Sequence, residues 1–233
     1  MTENIDGYLY ETHLHTKEGS ACAVDSGFEM ARAYKAAGYN GIIVTNHFFN
    51  GNTTISRRFP WDERVELFFK GYESAKKEGD RIGLSVFFGL EYGDGRCDFL
   101  TYGLDKPFLL AHPEMMTWSL EQYVMEVHNY GGFITHAHPF REAFYIDKFR
   151  LYPDLVDAIE VYNASHKNPS YNRKALAYAM ENHLIALSGS DSHSMYPILG
   201  GGIISDHKLE SIEDFIRLVR SRKGYRLLGH VEG

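Results

Sequence analysis

The sequence predicts an α/β barrel, on three observations. Apolar strand-like runs alternate with amphipathic stretches from end to end, several of the runs hold few polar residues, and histidines and carboxylates collect where the runs stop. Runs such as Ile42-Ile43-Val44 and Leu184-Ile185-Ala186-Leu187 suit parallel strands covered on both faces. Alternation alone also fits an open sheet; a closed barrel is the preferred form of the two.

The elements follow in order. A strand at Tyr8–His15 leads to a helix near Gly27–Ala37, which Gly38 closes by offering the left-handed backbone a helix end uses. A strand at Gly41–His47 precedes a helix from about Trp61 to Glu78, whose aromatic residues recur at helical spacing and read as core. Strands at Ile82–Glu91 and Asp98–Leu104, a helix at Leu120–Tyr130, and strands at Phe133–His138 and Ala158–Tyr162 come next. A helix near Tyr171–Asn182, a strand at Leu184–Ser188, a short strand near Gly202–Ile204 and a helix near Ile212–Ser221 complete the pattern. The segment Phe48–Pro60 is rich in Asn, Thr and Gly and carries Arg57 and Arg58. It reads equally as a lid or as a plain surface loop. No linker or repeat interrupts the pattern, so a single domain over residues 1–233 is expected.

With 44% hydrophobic and 24% charged residues, the chain has a globular composition, not a disordered one. Its net charge of −7 and lack of any Lys/Arg block longer than a pair argue against an extended nucleic-acid surface, although a short or single-stranded nucleic acid still qualifies as substrate. Met1 to Gly7 is polar and no uninterrupted apolar run reaches about 18 residues, which predicts no membrane span and a cytoplasmic protein. Cys22 and Cys97 cannot build a disulfide framework and read as free thiols.

The chemistry gathers at strand ends. His13 and His15 close the first strand, His47 the second and Glu91 the third, His136 and His138 a later one, and Asp191 and His193 follow Leu184–Ser188. Parallel α/β folds place their sites at the carboxyl ends of strands, so these side chains converge on one rim. His13/His15, His136/His138 and Asp191/His193 are each spaced i, i+2, which in an extended chain aims both members at one face. Imidazole and carboxylate are ligands of zinc, manganese or iron, and more than four of them imply more than one ion. Glu91 follows the apolar run Val86-Phe87-Phe88-Gly89-Leu90, where an unpaired carboxylate is costly; a ligand shared between ions removes that cost.

With these residues in view, the chain resembles the polymerase and histidinol phosphatase (PHP) family. The matching segments are Thr12-His13-Leu14-His15-Thr16, Val44-Thr45-Asn46-His47, Gly89-Leu90-Glu91, Ala137-His138-Pro139-Phe140-Arg141, Ile159-Glu160-Val161-Tyr162-Asn163 and Ser188-Gly189-Ser190-Asp191-Ser192-His193. The resemblance implies a distorted seven-stranded, TIM-like α/β barrel holding two to three divalent ions (Zn, Mn or Fe) and hydrolysing phosphate esters. It implies His13, His15, Glu91 and Asp191 as ligands of a first metal, Glu91 and His138 of a second, and His47 and His193 of a third. Asp98 stands where the family often has a second-metal histidine. At the third site a usual ligand position falls on Ala21, so that site needs Glu18 or Cys22 as a substitute. Asn46 stands where Asp is more common, and is a poorer ligand.

Arg141, close after His138, suits bidentate binding of a phosphoryl group, and Lys17 is a second candidate cation. His136 reads evenly as a substrate-contacting or supporting residue and as a plain hydrogen-bonded histidine. Of His112, His128, His166, His183, His207 and His230, read mostly as solvated or capping, only His166 is placed to reach the rim. The expected reaction is attack on a phosphomonoester, nucleotide or oligonucleotide end by a hydroxide bridging two metals, with His193 or His47 protonating the leaving alcohol. A histidinol-phosphate phosphatase is one alternative substrate reading. An amidohydrolase acting on C–N bonds or a non-catalytic metal-binding module are the rivals from other classes.

Overall fold

The computed structural model describes residues 6–142 and 150–229. His230 lies outside them, as does most of the polar stretch before Gly7. The elements are β1 (Tyr8–Leu14), α1 (Gly27–Ala36), β2 (Gly41–Val44), α2 (Trp61–Ile82), β3 (Ser85–Gly93), β4 (Asp98–Tyr102), α3 (Lys106–Ala111), α4 (Leu120–Asn129), β5 (Phe133–His136), β6 (Ala158–Asn163), α5 (Pro169–Glu181), β7 (Ile185–Gly189), β8 (Ile203–Ser205), α6 (Ile212–Ser221) and β9 (Tyr225–Leu227). No described helix is long and apolar enough to cross a membrane.

The strands form one sheet in the order β7-β6-β5-β4-β3-β2-β1-β8-β9. It curls into a nearly closed barrel, because the chain after β7 returns to β1. The amide of His15 donates to the carbonyl of Ser192 at 2.9 Å, and the Thr12 hydroxyl donates to Ser188 O. The expected seven-stranded barrel is thereby corrected to nine described strands. β4 also runs antiparallel to both β3 and β5, and β8 and β9 add antiparallel to the far side of β1. The cause at β3–β4 is local. Asp94 accepts the amides of Arg96 and Cys97, and Gly95 adopts φ 84°, a tight turn that can join only antiparallel neighbours.

Strand alternation builds the barrel's filling. Tyr10, Ile43, Phe87, Leu100, Phe133, Ala158, Leu187 and Ile203, one from each of the first eight strands, pack together inside. α6 closes that end with Phe215, Ile216, Leu218 and Val219, all buried. The opposite faces of the strands pack under the helices, for example Phe88 and Leu90 with α2, and Leu14 and Val44 with α1. α1 begins with a capping box in which Ser26 and Glu29 satisfy each other's amides. α1 and α2 touch through glycine: a Cβ on Gly27 would lie 2.0 Å from the carbonyl of Gly71, so α1 tolerates no larger residue there, and a Cβ on Gly71 would in turn lie 2.1 Å from Thr16 Oγ1.

Candidate metal centre

The inward-facing positions that carry apolar side chains low in the barrel carry polar ones at its mouth. On β3 the inward series is Phe87, Gly89, Glu91; on β4, which runs the other way, it is Tyr102, Leu100, Asp98. Asp98 reaches the rim as the first residue of an antiparallel strand, whereas Glu91 reaches it near the end of its own. On β1 strict alternation would point His13 away, because Tyr10 and Thr12 already face inward. A register shift between Glu11 and Leu14 re-aims it. The buried Glu11 carboxylate sustains this bulge by accepting the amides of Thr12, His13 and Ser190, each at 2.9 Å. Two of the four described non-glycine residues with left-handed backbone also lie in this group, His138 (φ 30°) and Asp191 (φ 54°). Such strain persists where the surroundings impose it, typically at functional sites.

His13, His15, Glu91 and Asp191 form a four-donor cage. His13 Nε2 stands 3.1 Å from His15 Nε2, 3.5 Å from Glu91 Oε1 and 3.4 Å from Asp191 Oδ1. His15 Nε2 stands 3.4 Å from Glu91 Oε2 and 3.3 Å from Asp191 Oδ1. A tetrahedral ion with bonds of about 2.1 Å separates its donors by about 3.4 Å, the spacing found here. All four residues are at most 4% exposed. Two carboxylates buried this closely are compensated most directly by a divalent cation.

The outer nitrogens of the two rings are already committed, which leaves each Nε2 for the ion. His13 Nδ1 donates to Glu160 Oε1 at 2.8 Å, and His15 Nδ1 bonds Ser20 Oγ at 2.9 Å. Glu160 accepts in addition the amide of His138 and the side-chain amide of Asn163, both at 2.9 Å. Burial pushes the Glu160 carboxyl up, but His13 more than offsets this and holds it below its ordinary value. Burial likewise disfavours a charged His13, yet Glu160 and Asp191 raise it well above its ordinary range, so a cation entering the cage must displace a proton. Gly189 leaves the room for this pair: a Cβ there would lie 2.5 Å from His13 Cβ and 2.7 Å from Glu160 Oε1.

Glu91 sits at the junction of further donor groups. His13, His138 and Asp191 form one, Glu91, Asp98 and His138 another, and His15, His47 and His193 a third, each with donor atoms within 4.8 Å of one another. Glu91 Oε1 lies 3.2 Å from His138 Nε2, and Oε2 lies 2.7 Å from His47 Nδ1 without the alignment of a hydrogen bond. His47 is held there because the β2–β3 pairing continues past β2. Glu91 N–H donates to Asn46 O, and Phe48 N–H donates to Glu91 O. Burial and the neighbouring Glu91 lift the Asp98 carboxyl to about 6. A cavity of about 460 Å³ opens over the group, lined by His47, Asp98, Arg141, Asp191, His193 and Cys22, among others. A larger cleft, about 990 Å³, lies at the other end of the barrel between Ser85, Gly103 and Ser211, away from every donor group.

Not every expected residue joins the cluster. Ala137 points into the barrel, so His136 points out of it. There it stacks on Phe99 at 5.0 Å, and its Nδ1 has no partner among the described residues. The expected same-face pairing with His138 fails because the left-handed backbone at His138 turns that residue alone inward. Lys17 is half-exposed and faces Glu29 at 3.5 Å. Asn46 is structural: its Oδ1 accepts Thr16 N–H at 2.7 Å and the Ser20 hydroxyl at 3.0 Å. Arg57 and Arg58 are exposed, while Asn50 and Asn52 of the same segment line the cavity. Arg141 is brought in, paired with Asp191 through one guanidinium nitrogen. His166 Nδ1 bonds Asn172, and burial pushes its ring down to about 4. Glu160 and Glu11 are the residues the sequence reading did not single out.

Fold and donor set together place at the barrel's mouth several groups of side chains that could hold metal ions. No family model and no curated protein matches the chain. Among solved structures, a two-domain protein of Bacteroides vulgatus containing a predicted PHP-like metal-dependent phosphoesterase aligns with 99% of this chain and 68% of its own, with a TM-score of 0.67 at 15% identity. An inferred metal-dependent phosphoesterase of Bifidobacterium adolescentis covers 91% of this chain and 96% of its own (TM-score 0.58, 14% identity). An amidohydrolase of Chromobacterium violaceum, with sulfate bound and no metal, covers 91% and 96% (TM-score 0.60, 19% identity). At these identities the likeness is one of fold.

Proposed function

We propose that the protein is a PHP-type metal-dependent phosphoesterase acting on a small phosphorylated substrate or nucleotide. The four-donor cage of His13, His15, Glu91 and Asp191 carries this reading, with Glu91 shared toward His138 and Asp98. His47 and His193 would hold a third ion; zinc, manganese and iron suit these donors. Bound ions supply the Lewis acidity that brings the pKa of water near neutrality and neutralises phosphoryl oxygens. Arg141, anchored on Asp191, faces the cavity and binds the phosphoryl oxygens there, beside the ligand it pairs with. His193 fixes its Nδ1 on the carbonyl of Asp191 at 2.9 Å, which leaves Nε2 to give a proton to the leaving alcohol when no ion takes it. The cavity volume suits a small ligand, and the apolar layer below the donors keeps water out of the barrel. The net charge of −7 and the lack of any Lys/Arg block longer than a pair favour such a substrate over extended nucleic acid.

Hydrolysis of a C–N bond is the second reading, raised by the amidohydrolase that shares the fold. The glutamate at the middle strand end, where amidohydrolase barrels usually carry a lysine, disfavours it. Phosphate release from a panel of monoesters, nucleotides and short oligonucleotides, with Mn²⁺, Zn²⁺ or Fe²⁺, tests the proposal. Turnover of at least one phosphate ester supports it. Cleavage of acyl amides with no phosphate release on any ester would replace it with the second reading.

A further inference from the structure

We propose that Arg96 binds a second anionic group of the substrate, a carboxylate or another phosphoryl group on the alcohol half, so that the site selects phosphate esters carrying two acidic groups. The inference rests on the phosphoesterase reading above and names its substrate class. The cavity over the donors has walls of two kinds. On one, His47, Asp98, Asp191 and His193 belong to the metal donor groups, and Arg141 is spent on Asp191. The rest of the lining, chiefly Asn50 and Asn52 after β2 and Gly93 and Gly95 of the β3–β4 turn, holds no carboxylate and, among the described residues, one cation, the Arg96 guanidinium.

The acids of its own hairpin do not neutralise this guanidinium. Asp94 spends Oδ1 on the amides of Arg96 and Cys97, at 2.8 and 2.7 Å, and Oδ2 on the Tyr152 hydroxyl at 3.1 Å. Asp98 belongs to the donor group with Glu91 and His138. Among the described residues the Arg96 side chain has no ion pair or hydrogen bond. Arg57 and Arg58 are exposed as well, but they line no part of the cavity. The backbone that presents Arg96 is fixed. Asp94 N–H donates to Cys97 O at 3.0 Å across the turn, and Asn50 clamps Gly93 by accepting its amide at 3.2 Å and donating to its carbonyl. A Cβ on Gly95 would meet no atom within 4 Å, so the space beside Arg96 is open to a ligand. The cavity of about 460 Å³ falls in the range of about 300 to 1,000 Å³ that takes a whole small molecule. A phosphoryl group held at the donors and Arg141 therefore leaves the alcohol half to the wall that Arg96 supplies, where the guanidinium fork matches carboxylate and phosphoryl oxygens alike.

Calorimetric binding of non-hydrolysable, chain-matched probes to the metal-loaded protein tests this. Propylphosphonate carries one phosphonate alone, phosphonopropionate adds a carboxylate, and propylene bisphosphonate adds a second phosphonate. In the wild type the second anion should tighten binding by about 10-fold, the size of one charge-assisted contact at a partly exposed site. The larger of the two gains tells a carboxylate from a phosphoryl group. Arg96→Ala should abolish the gain, Arg96→Lys should keep part of it, and Arg96→Glu should turn it into a loss. Arg141→Ala should weaken all of the probes. Chelation by the probes is common to wild type and variants and cancels in the comparison. Arg96 is exposed and its turn is held through the backbone, so its variants are expected to fold, which their melting curves check. Propylphosphonate binding to which a second anion adds less than about twofold, or a gain that survives Arg96→Ala, overturns the role of Arg96 and leaves the phosphoesterase reading standing. No binding of any probe to the metal-loaded wild type overturns the phosphoesterase reading itself, and this inference with it.

Discussion

Replacing Glu160 with glutamine changes one atom of the carboxylate and should weaken metal binding in a way the hydrogen bonds fix in advance. Glu160 accepts three donors, from His13 Nδ1, His138 N and Asn163 Nδ2, at 2.8 to 2.9 Å. A glutamine has one accepting oxygen, and two of the three donors converge on the same carboxylate oxygen, Oε2. The amide oxygen therefore settles on that side and its NH₂ faces His13. Meeting a donor, His13 is driven to carry its proton on Nε2, the nitrogen turned toward the cage, and loses the lone pair that would bind the ion. Removing such a supporting hydrogen bond typically costs about 10- to 100-fold in metal affinity, or about 1.4 to 2.7 kcal/mol. Competition with a calibrated chelator measures it, and the melting curve of the metal-free protein checks folding. Affinity unchanged within about threefold would show that Glu160 does not set the tautomer of His13.

Three further outcomes are expected. Arg141→Ala should lower kcat/KM on a phosphate ester by about 30- to 1,000-fold, roughly 2–4 kcal/mol, and Arg141→Lys should recover little. Metal content should hold in both variants; its loss would instead assign Arg141 to positioning Asp191. Asp98→Ala should weaken the ion between Glu91 and His138 more than the one in the four-donor cage, and a metal-bound structure with the Asp98 carboxylate beyond about 3 Å from any ion would refute its role. His136 gives a pH dependence. Burial and the adjacent His138 push its ring down to about 3, so the unfolded chain binds a proton that the folded chain refuses from about pH 6.5 downward. Its contribution is intact above pH 6.5 and falls as pH drops toward 3, by at most about 1.4 kcal/mol per pH unit. His136→Phe, which keeps the stack on Phe99, should flatten the acid side of a stability-against-pH curve measured by urea unfolding. An unchanged slope would contradict this.

What was legible in the sequence follows from which physical signals are local. The spacing of His13 and His15 and the position of Glu91 after an apolar run depend on strand periodicity and on the cost of a buried charge, and both are visible in a dozen residues. The same cost applied to Ile159-Glu160-Val161 and to Glu11 would have marked the two supporting carboxylates; each is a single acid in a strand-like run. The inward turn of His138 was not legible, because a left-handed backbone at a histidine before proline leaves no trace in composition. Nor was the bulge that re-aims His13, since a one-residue register shift depends on what lies across the sheet. The reversal of β4 did have a local sign. Asp94-Gly95 between two strand-like runs is a hairpin signal, and reading it would have replaced an all-parallel barrel with the mixed one observed. β9 was missed because Tyr225-Arg226-Leu227 is only partly buried and forms no apolar run, unlike the equally short but buried β8.

The central claim is that Glu91 joins at least two ions at the mouth of the barrel. Elemental analysis of protein purified without chelator tests it directly, on wild type and Glu91→Ala side by side. At least two transition-metal ions per chain are expected in the wild type, with more than one lost in the variant, because a shared ligand serves both. Less than one ion per chain in the wild type, or a variant that retains all of its metal, would contradict it.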